Sequence, residues 1–316
     1  MISISNLTKR FGDRVVVDNL SVDIGSEIFS FLGPNGAGKT TVVNMLCGLL
    51  NRDGGEIQIA GLDPETAPGA VRRRIGLVPQ ETALYEYLTA CENLEFHAKF
   101  YGVPRSEQQQ RIHEALELAQ LTERANDRVG TYSGGMKRRL ALVRALLHDP
   151  DILILDEPTL GIDVQNRNEI WHRILQLKRG KTILITTNYM DEADRLSDRC
   201  LILDEGKLIA LDTPTKLKLQ HAGGIRVEAV VAADRKAITQ LLDRLKQISP
   251  DARFTKTSQR REFHLVLPAQ GQANELLTKV SQVFREFPLV DLRDLSIRIP
   301  TLDDVFLELT GSRLRD

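Results

Sequence analysis

The sequence has only three cysteines, and their positions exclude two classes of protein. Cys47, Cys91 and Cys200 lie far apart in a chain of 316 residues. Neither the paired spacing of a zinc site nor the cysteine density of a disulfide-stapled fold is present. We therefore expect these residues to be small buried hydrophobes in a reducing compartment, without a chemical role.

Long hydrophobic runs and an excess of one charge are absent as well. No stretch approaches the roughly 18–20 uncharged apolar residues that a membrane-spanning helix needs, and the start lacks the pattern of a signal peptide. The 42 Lys and Arg residues nearly cancel the 43 Asp and Glu residues, which removes the bulk-charge argument for a nucleic-acid partner. We expect a cytoplasmic chain that binds no nucleic acid.

Changes of pattern along the chain predict two domains. Residues 1 to about 60 alternate short apolar runs with turns, as strands do, and the runs at 15–17 and 20–24 are separated by polar residues. Residues from about 84 to 148 have helical periodicity. Apolar strands at 151–155 and 182–186 enclose another helical stretch, which is typical of a parallel α/β sheet. The first domain is predicted to span 1–220, with a helical subdomain at about 84–148.

A different order of elements follows a linker at 220–224. Residues 221–316 follow a β-α-β-β-α-β order, which favours a small α+β domain of the ferredoxin-like kind. Nothing in 225–316 resembles a chemical motif. We interpret this domain as a dimer-bracing or stability module, with ligand sensing as the alternative.

Residues 33–40 fit the phosphate-binding pattern G-x-x-x-x-G-K-S/T and lie between an apolar strand and a helical run. Backbone amides of such a loop, together with the N-terminus of the next helix, bind phosphate oxygens. Lys39 is predicted to reach the β- and γ-phosphates, and Thr40 to hold Mg²⁺. The predicted nucleotide-binding residues of this segment are Gly33, Pro34, Asn35, Gly36, Ala37, Gly38, Lys39, Thr40 and Thr41.

The apolar strand around 152–155 ends in two acidic residues, Asp156 and Glu157. A carboxylate at this place can serve a nucleotide-bound Mg²⁺. Because neighbours along a strand point in different directions, Asp156 is predicted to serve the metal and Glu157 to face an attacking water as a general base. The alternative is that both acids are merely solvated at the strand end.

A third motif, Tyr-Ser-Gly-Gly-Met-Lys-Arg-Arg at 132–139, resembles the signature sequence of the ATP-binding subunits of ABC transporters. The motif order matches over about residues 2–220. The resemblance implies a P-loop NTPase fold of the α/β class, with a mixed-sheet core, an antiparallel β subdomain and a helical insertion. It also implies an ATPase that uses ATP and Mg²⁺ as a head-to-tail homodimer, in which Ser133, Gly134 and Gly135 face the partner's phosphate loop.

The resemblance extends to single residues. Phe11 matches the aromatic residue that stacks on adenine, although a lone Phe is more often part of a core. Gln80 matches the glutamine that links Mg²⁺ to the membrane interface, although a single glutamine is usually a solvated surface residue without such a role. Asp163 matches the loop that couples the two active sites, although an aspartate is also a common turn residue.

Asn188 departs from the family pattern, because the family usually has a γ-phosphate-contacting histidine there. An asparagine amide donates a hydrogen bond, but it cannot become a cation or relay a proton near neutral pH. Our hypothesis is slower hydrolysis at a site that Glu157 keeps active.

The signature Tyr132, the amide at 188 and the C-terminal run 300–310 resemble the daunorubicin-type branch of bacterial exporters. This implies a separate membrane-spanning subunit, a position at the inner face of the cell membrane and export of a drug, lipid or polysaccharide. The partner is expected to dock near Leu84, Tyr85, Tyr87 and Phe100, some of which can be core. The alternatives are an ABC ATPase without a membrane partner and an ATP-gated interaction protein with very slow hydrolysis.

Overall fold

The computed structural model describes residues 1–178, 180–222, 226–256, 262–268 and 273–311. The chain divides into two compact units, Met1–Pro214 and the described residues from 215 to 311. The division lies at the start of a helix, Pro214–His221, and therefore before residue 220. Two residues of the predicted linker, Gly223 and Gly224, lie outside the described residues.

The strands and helices of the first unit alternate along most of its length. In chain order they are β1 (Ile2–Phe11), β2 (Arg14–Ile24), β3 (Ile28–Leu32), α1 (Lys39–Leu46), β4 (Gly54–Ile59), α2 (Pro68–Arg74), β5 (Ile75–Val78), α3 (Ala90–Phe100), α4 (Arg105–Ala119), α5 (Gly134–Leu146), β6 (Ile152–Asp156), α6 (Val164–Leu177), β7 (Thr182–Thr187), α7 (Met190–Leu196), β8 (Arg199–Asp204) and β9 (Lys207–Asp212).

A three-stranded antiparallel sheet forms from β2, β1 and β4, in that order. The runs at 15–17 and 20–24, separate in the sequence pattern, belong to one strand, β2. Asn19 lies between them with a positive φ of 54°, close to a register shift against β1. Asparagine tolerates this left-handed conformation, so the strand is locally irregular and yet continues.

A six-stranded sheet in the order β5-β6-β7-β3-β8-β9 forms the centre of this unit. All neighbours are parallel except the hairpin of β8 and β9, whose turn residues Glu205 and Gly206 both have positive φ. Strands β3, β6 and β7 are buried along their whole length. One core contains α1 and the antiparallel sheet, and a second contains α5 and α6. Because β3, β6 and β7 are parallel neighbours, their carboxyl ends lie at the same edge of the sheet.

The helical subdomain consists of α3, α4 and α5, which share a core of their own. Its helical structure begins later than the predicted residue 84, because Thr89 and Glu92 form a capping box that starts α3 at Ala90. Pro104 is the N-cap of α4 and separates it from α3. Among the described residues, no helix of the chain is both long and apolar enough to cross a membrane.

The second unit contains a four-stranded antiparallel sheet in the order β11-β12-β10-β13. Its elements are α8 (Pro214–His221), β10 (Arg226–Ala232), α9 (Arg235–Lys246), β11 (Arg253–Lys256), β12 (Glu262–Pro268), α10 (Ala273–Glu286), β13 (Asp291–Arg298) and α11 (Leu302–Thr310). Alternate residues of β10 are buried in a core shared with α9 and α10. This topology is the split β-α-β arrangement of ferredoxin-like domains.

Candidate active site

The segment 33–38 makes a tight loop between β3 and α1, and backbone crowding requires glycine at two of its positions. Gly38 has a φ of 106°, and a Cβ atom there would lie 2.6 Å from the carbonyl oxygen of Val16. At Gly33, a Cβ atom would lie 2.1 Å from the carbonyl oxygen of Leu203. Only glycine fits such approaches. Because no side chain caps the N-terminus of α1, its first amides remain available to an anion.

Lys39 lies inside this loop and is almost completely buried. Its ammonium donates hydrogen bonds of 2.7 Å and 3.1 Å to the carbonyl oxygens of Gly33 and Pro34. It also lies 3.7 Å from Oε1 of Glu157. Burial lowers the pKa of Lys39, while the carboxylates of Glu157 and Asp156 oppose this shift. The loop thus holds a cation beside an acidic group.

Asp156 and Glu157 face different groups, but strand alternation is not the reason. Asp156 is the last residue of β6, and its Oδ1 accepts hydrogen bonds from the hydroxyls of Thr186 and, at 3.4 Å, Thr40. Glu157 lies beyond the strand in a left-handed conformation with a φ of 47°. Its Oε2 accepts a 3.1 Å hydrogen bond from Nε2 of Gln80. The prediction that strand alternation separates the two side chains was therefore wrong. They point apart because the backbone turns at Glu157, beyond the end of β6.

A cleft of about 500 Å³ brings most of the predicted nucleotide-binding residues together. The predicted residues that line it are Phe11, Asn35, Gly36, Gly38, Lys39, Thr40, Thr41, Gln80 and Glu157. Gly33, Pro34 and Ala37 belong to the loop but do not line this cleft, and the Ala37 amide donates to the Pro34 carbonyl instead.

Arg14, Val16 and Leu160 also line this cleft, and sequence reasoning missed them. Arg14 pairs with Phe11 across the β1–β2 hairpin, and Phe11 is half exposed beside it. The sequence could have indicated Arg14, because a two-residue turn at Gly12-Asp13 places the residues before and after it, Phe11 and Arg14, opposite each other.

The signature residues and Asp163 do not line this cleft, and two of these residues, Gly135 and Asp163, lie next to Asn166. Ser133 caps α5 by accepting a hydrogen bond from the amide of Met136, and Gly134 is the first residue of that helix. Asp163 caps α6 and accepts a 2.6 Å hydrogen bond from the side chain of Asn166, whose contacts lower the pKa of Asp163. A Cβ atom at Gly135 would lie 3.1 Å from the Asn166 side chain. These residues form a second polar group in the same unit.

Asn188 follows β7 at the same sheet edge but does not line the cleft. Its Oδ1 is buried and accepts no hydrogen bond from any described residue. A buried acceptor without a donor is uncommon in proteins and points to a ligand or water as its partner.

The oxygen atoms at this edge fit a hard divalent cation. No group of three or more His, Cys, Asp or Glu side chains in the described part of the chain could hold a metal alone. Thr40 and Asp156 lie in direct contact, and Gln80 lines the same cleft. One carboxylate with neutral oxygen ligands suits Mg²⁺ that is also bound by phosphates.

A glycine loop between a buried strand and a helix, with acids at the end of a neighbouring strand, defines a P-loop nucleoside triphosphatase. Residues 17–160 match the family described as ABC transporter. The chain is 38% identical to the linearmycin resistance ATP-binding protein LnrL of Bacillus subtilis (strain 168), over 100% of both chains. It is 39% identical to the daunorubicin resistance ATP-binding protein DrrA2 of Streptomyces coeruleorubidus, over 97% of this chain and 94% of the relative.

Among solved structures, the chain resembles the dimeric ATP-binding cassette MJ0796 in a post-hydrolysis state with ADP and Pi. The TM-score is 0.61 at 29% identity, over 67% of this chain and 98% of the other. The chain belongs to the ABC transporter family. It is an ATP-binding subunit and an ATPase, and the predicted resemblance to the daunorubicin-type branch is confirmed.

Proposed function

We propose that two copies of this chain close head to tail around two ATP molecules and that hydrolysis drives a separate membrane-spanning subunit. The observation that carries this proposal is the separation of two polar groups within one chain. The cleft holds the phosphate loop and Glu157, while Ser133, Gly134 and Gly135 lie outside it. In this proposal a second copy supplies its own signature residues to the cleft. The second unit is assigned a role in bracing this dimer.

Each residue at the cleft has a distinct chemical task in this proposal. The amides of Asn35, Gly36 and Gly38 and the ammonium of Lys39 bind the phosphates, and Phe11 stacks on the adenine. Thr40, Gln80 and Asp156 would hold Mg²⁺, which neutralises phosphate charge when bound. Glu157 accepts the proton of the attacking water, with Gln80 orienting its carboxylate.

The remaining site residues act around the γ-phosphate. Asn188 donates its amide hydrogen to a γ-phosphate oxygen, and its unpartnered buried Oδ1 accepts from water. The amides of Ser133, Gly134 and Gly135 donate to the γ-phosphate bound by the partner copy. Asp163, next to this group through Asn166, couples the two sites.

An exposed aromatic surface supports a membrane-spanning partner. Tyr85, Tyr87, Phe96 and Phe100 are 51%, 90%, 49% and 75% exposed. Tyr85 contacts Phe96 edge-to-face at 5.1 Å, and Phe96 stacks on Phe100. Exposed aromatic groups of this kind mark protein interfaces. Leu84, predicted to belong here, is partly buried and packs against two cores, and Phe96 extends the surface instead.

We call these four residues the aromatic surface and assign it to a helix of the membrane subunit, which would hold the chain at the inner face of the cell membrane. The names of the two relatives, which are linearmycin and daunorubicin resistance proteins, support a drug as the exported compound. The compound would bind the membrane subunit. An ATP-gated interaction protein with very slow hydrolysis is the second candidate, and Asn188 is the observation that favours it.

The test is steady-state ATP hydrolysis by the purified chain and its Glu157→Gln variant, with ATP-dependent dimerisation followed by size-exclusion chromatography. We expect turnover in the parent, and a loss on the order of 100-fold or more with a stable ATP dimer in the variant. Glu123→Gln, an exposed glutamate of the helical subdomain, is the matched control and should behave as the parent. A stable ATP dimer of the parent with negligible turnover would favour the second candidate.

A further inference from the structure

Arg138 makes a complete set of hydrogen bonds to the main chain around the active site. Its guanidinium has five N–H groups, and it donates five hydrogen bonds to carbonyl oxygens. The acceptors are Pro79, Gln80, Asp156, Glu157 and Pro158, at 2.7, 3.2, 2.9, 2.9 and 2.7 Å. No donor of this side chain is left over, and no other side-chain type has this geometry.

The charge of Arg138 is buried beside three carboxyl groups. The side chain is 5% exposed, and burial lowers its pKa to about 10. Glu192, Asp156 and Glu157 oppose this shift. The guanidinium therefore stays charged at neutral pH, where each of its hydrogen bonds to a carbonyl is charge-assisted.

The five carbonyls belong to two segments that the active site uses. Residues 156–158 contain Glu157, whose left-handed φ of 47° is unfavourable for a residue with a side chain and needs support from its surroundings. Residues 79–80 contain Gln80, whose side chain bonds to Glu157. Arg138 is on α5, the helix that begins at Gly134 after the Ser133 cap. It does not line the cleft.

We propose that Arg138 is a positioning residue, which fixes the main chain of Glu157 and Gln80 to the helix that carries the signature. A shift of α5 would move the general base and the glutamine together. When the signature of one copy contacts its partner, any resulting shift of α5 would change the positions of Glu157 and Gln80 in that same copy. This inference rests on the proposed role of Glu157 as the base.

The direct test is Arg138→Ala, with kcat, KM for ATP and the affinity for a fluorescent ATP analogue measured in the full-length chain. Misplacing a reacting group by about 1 Å can reduce turnover on the order of 100-fold, so we expect a loss of about this size in kcat. Nucleotide affinity should stay within about threefold, because Arg138 does not touch the cleft.

Added guanidinium chloride, far below denaturing concentrations, distinguishes a positioning role from loss of the fold. The cation fits the space left by the removed side chain and offers the same donors, so part of the lost kcat should return. Arg111→Ala is the matched control, because Arg111 donates to the Leu147 carbonyl at the other end of α5. It should keep the parental kcat and show no response to guanidinium.

If Arg138→Ala does not fold, Arg138→Lys replaces it, since lysine keeps the charge but has three donors. We expect this variant to bind nucleotide as the parent does and to lose kcat. A parental kcat in either variant overturns the inference, as does a loss of kcat that guanidinium leaves unchanged in Arg138→Ala. Full turnover in Glu157→Gln would instead contradict the proposed role of Glu157.

Discussion

Gln80 and Glu157 are joined directly: Nε2 of Gln80 donates a 3.1 Å hydrogen bond to Oε2 of Glu157. The other oxygen of the same carboxylate lies 3.7 Å from the Lys39 ammonium. Glu157 is buried, whereas Gln80 is exposed and followed in the chain by the segment that leads to the aromatic surface. A displacement of Gln80 would therefore act directly on the carboxylate of Glu157, the proposed general base.

Replacing Gln80 by glutamate should lower turnover further than removing the Gln80 side chain does. The glutamate loses the hydrogen bond that Gln80 donates to Oε2 of Glu157 and puts a second negative charge beside that carboxylate. The control Gln80→Ala removes the hydrogen bond without adding charge. We therefore expect the steady-state turnover of Gln80→Glu to fall below that of Gln80→Ala. Equal turnover of the two variants would contradict this expectation.

Asn188→His should raise the turnover of the chain. A histidine at the end of β7 can carry positive charge toward the γ-phosphate and exchange a proton near neutral pH, which an amide cannot. We expect an increase of about twofold or more in kcat, with KM for ATP little changed. Steady-state hydrolysis measures it, and an increase below twofold would count against a limiting role of Asn188.

Glu192 should make the stability of the first unit depend on pH. Its carboxyl is completely buried and accepts 2.8 Å hydrogen bonds from Thr159 and Trp171. Burial raises its pKa above the reference value of 4.5, and hydrogen bonds partly oppose the shift. The native state therefore binds the proton more tightly than the unfolded state. The resulting stabilisation is fully present below pH 4.5 and is lost as pH rises through the native pKa.

Glu192→Gln removes this titration and keeps an oxygen that can accept both hydrogen bonds. The free energy of unfolding of the variant, relative to the parent, should therefore increase as pH rises from about 4.5 to about 8. Urea unfolding at several pH values measures this difference, with the exposed Glu169→Gln of the same unit as control. A difference independent of pH would show that Glu192 stays ionised in the native state.

Removing aromatic rings from the aromatic surface should weaken binding of the membrane-spanning subunit. Buried aromatic anchors contribute about 2 kcal/mol each at interfaces, so the double variant Tyr87→Ser with Phe100→Ser should lose roughly 1,000-fold in affinity. Co-purification with the membrane subunit from detergent measures the loss. Leu289→Ser, at an 87% exposed position of the second unit, is the control. Equal recovery of both variants would remove the surface from the proposed interface.

The sequence pattern predicted most strands and helices, because each of them depends on the apolar and turn residues within a few positions of it. The buried strands β6 and β7 differ by a residue from the apolar runs that predicted them, and the phosphate loop lies where its flanking strand and helix required. Periodicity could not anticipate the start of α3, which a capping box sets. Nor could it show that Asn19 keeps β2 continuous.

The site was harder to predict wherever it depends on contacts between distant segments. Arg138 is one of two consecutive arginines in the signature, and nothing in the sequence separates it from Arg139, which lies near the side chain of Gln120. Its function follows from five carbonyls that lie 18 to 59 positions away along the chain. The direction of Glu157 depends on a single backbone angle, which strand alternation does not predict.

The position of β3 in the central sheet also governs when the chain acquires its function during synthesis. β3 is made early, but it pairs Phe29 with Leu184 of β7 and with Arg199 of β8. Pairing between strands so far apart in the chain must overcome loop-closure entropy before its contacts form, and we expect it to be late in folding. On the ribosome, the phosphate loop is therefore left without its neighbouring strands until β8 has emerged. We therefore expect nascent chains to bind ATP only after β3 has paired with β7 and β8.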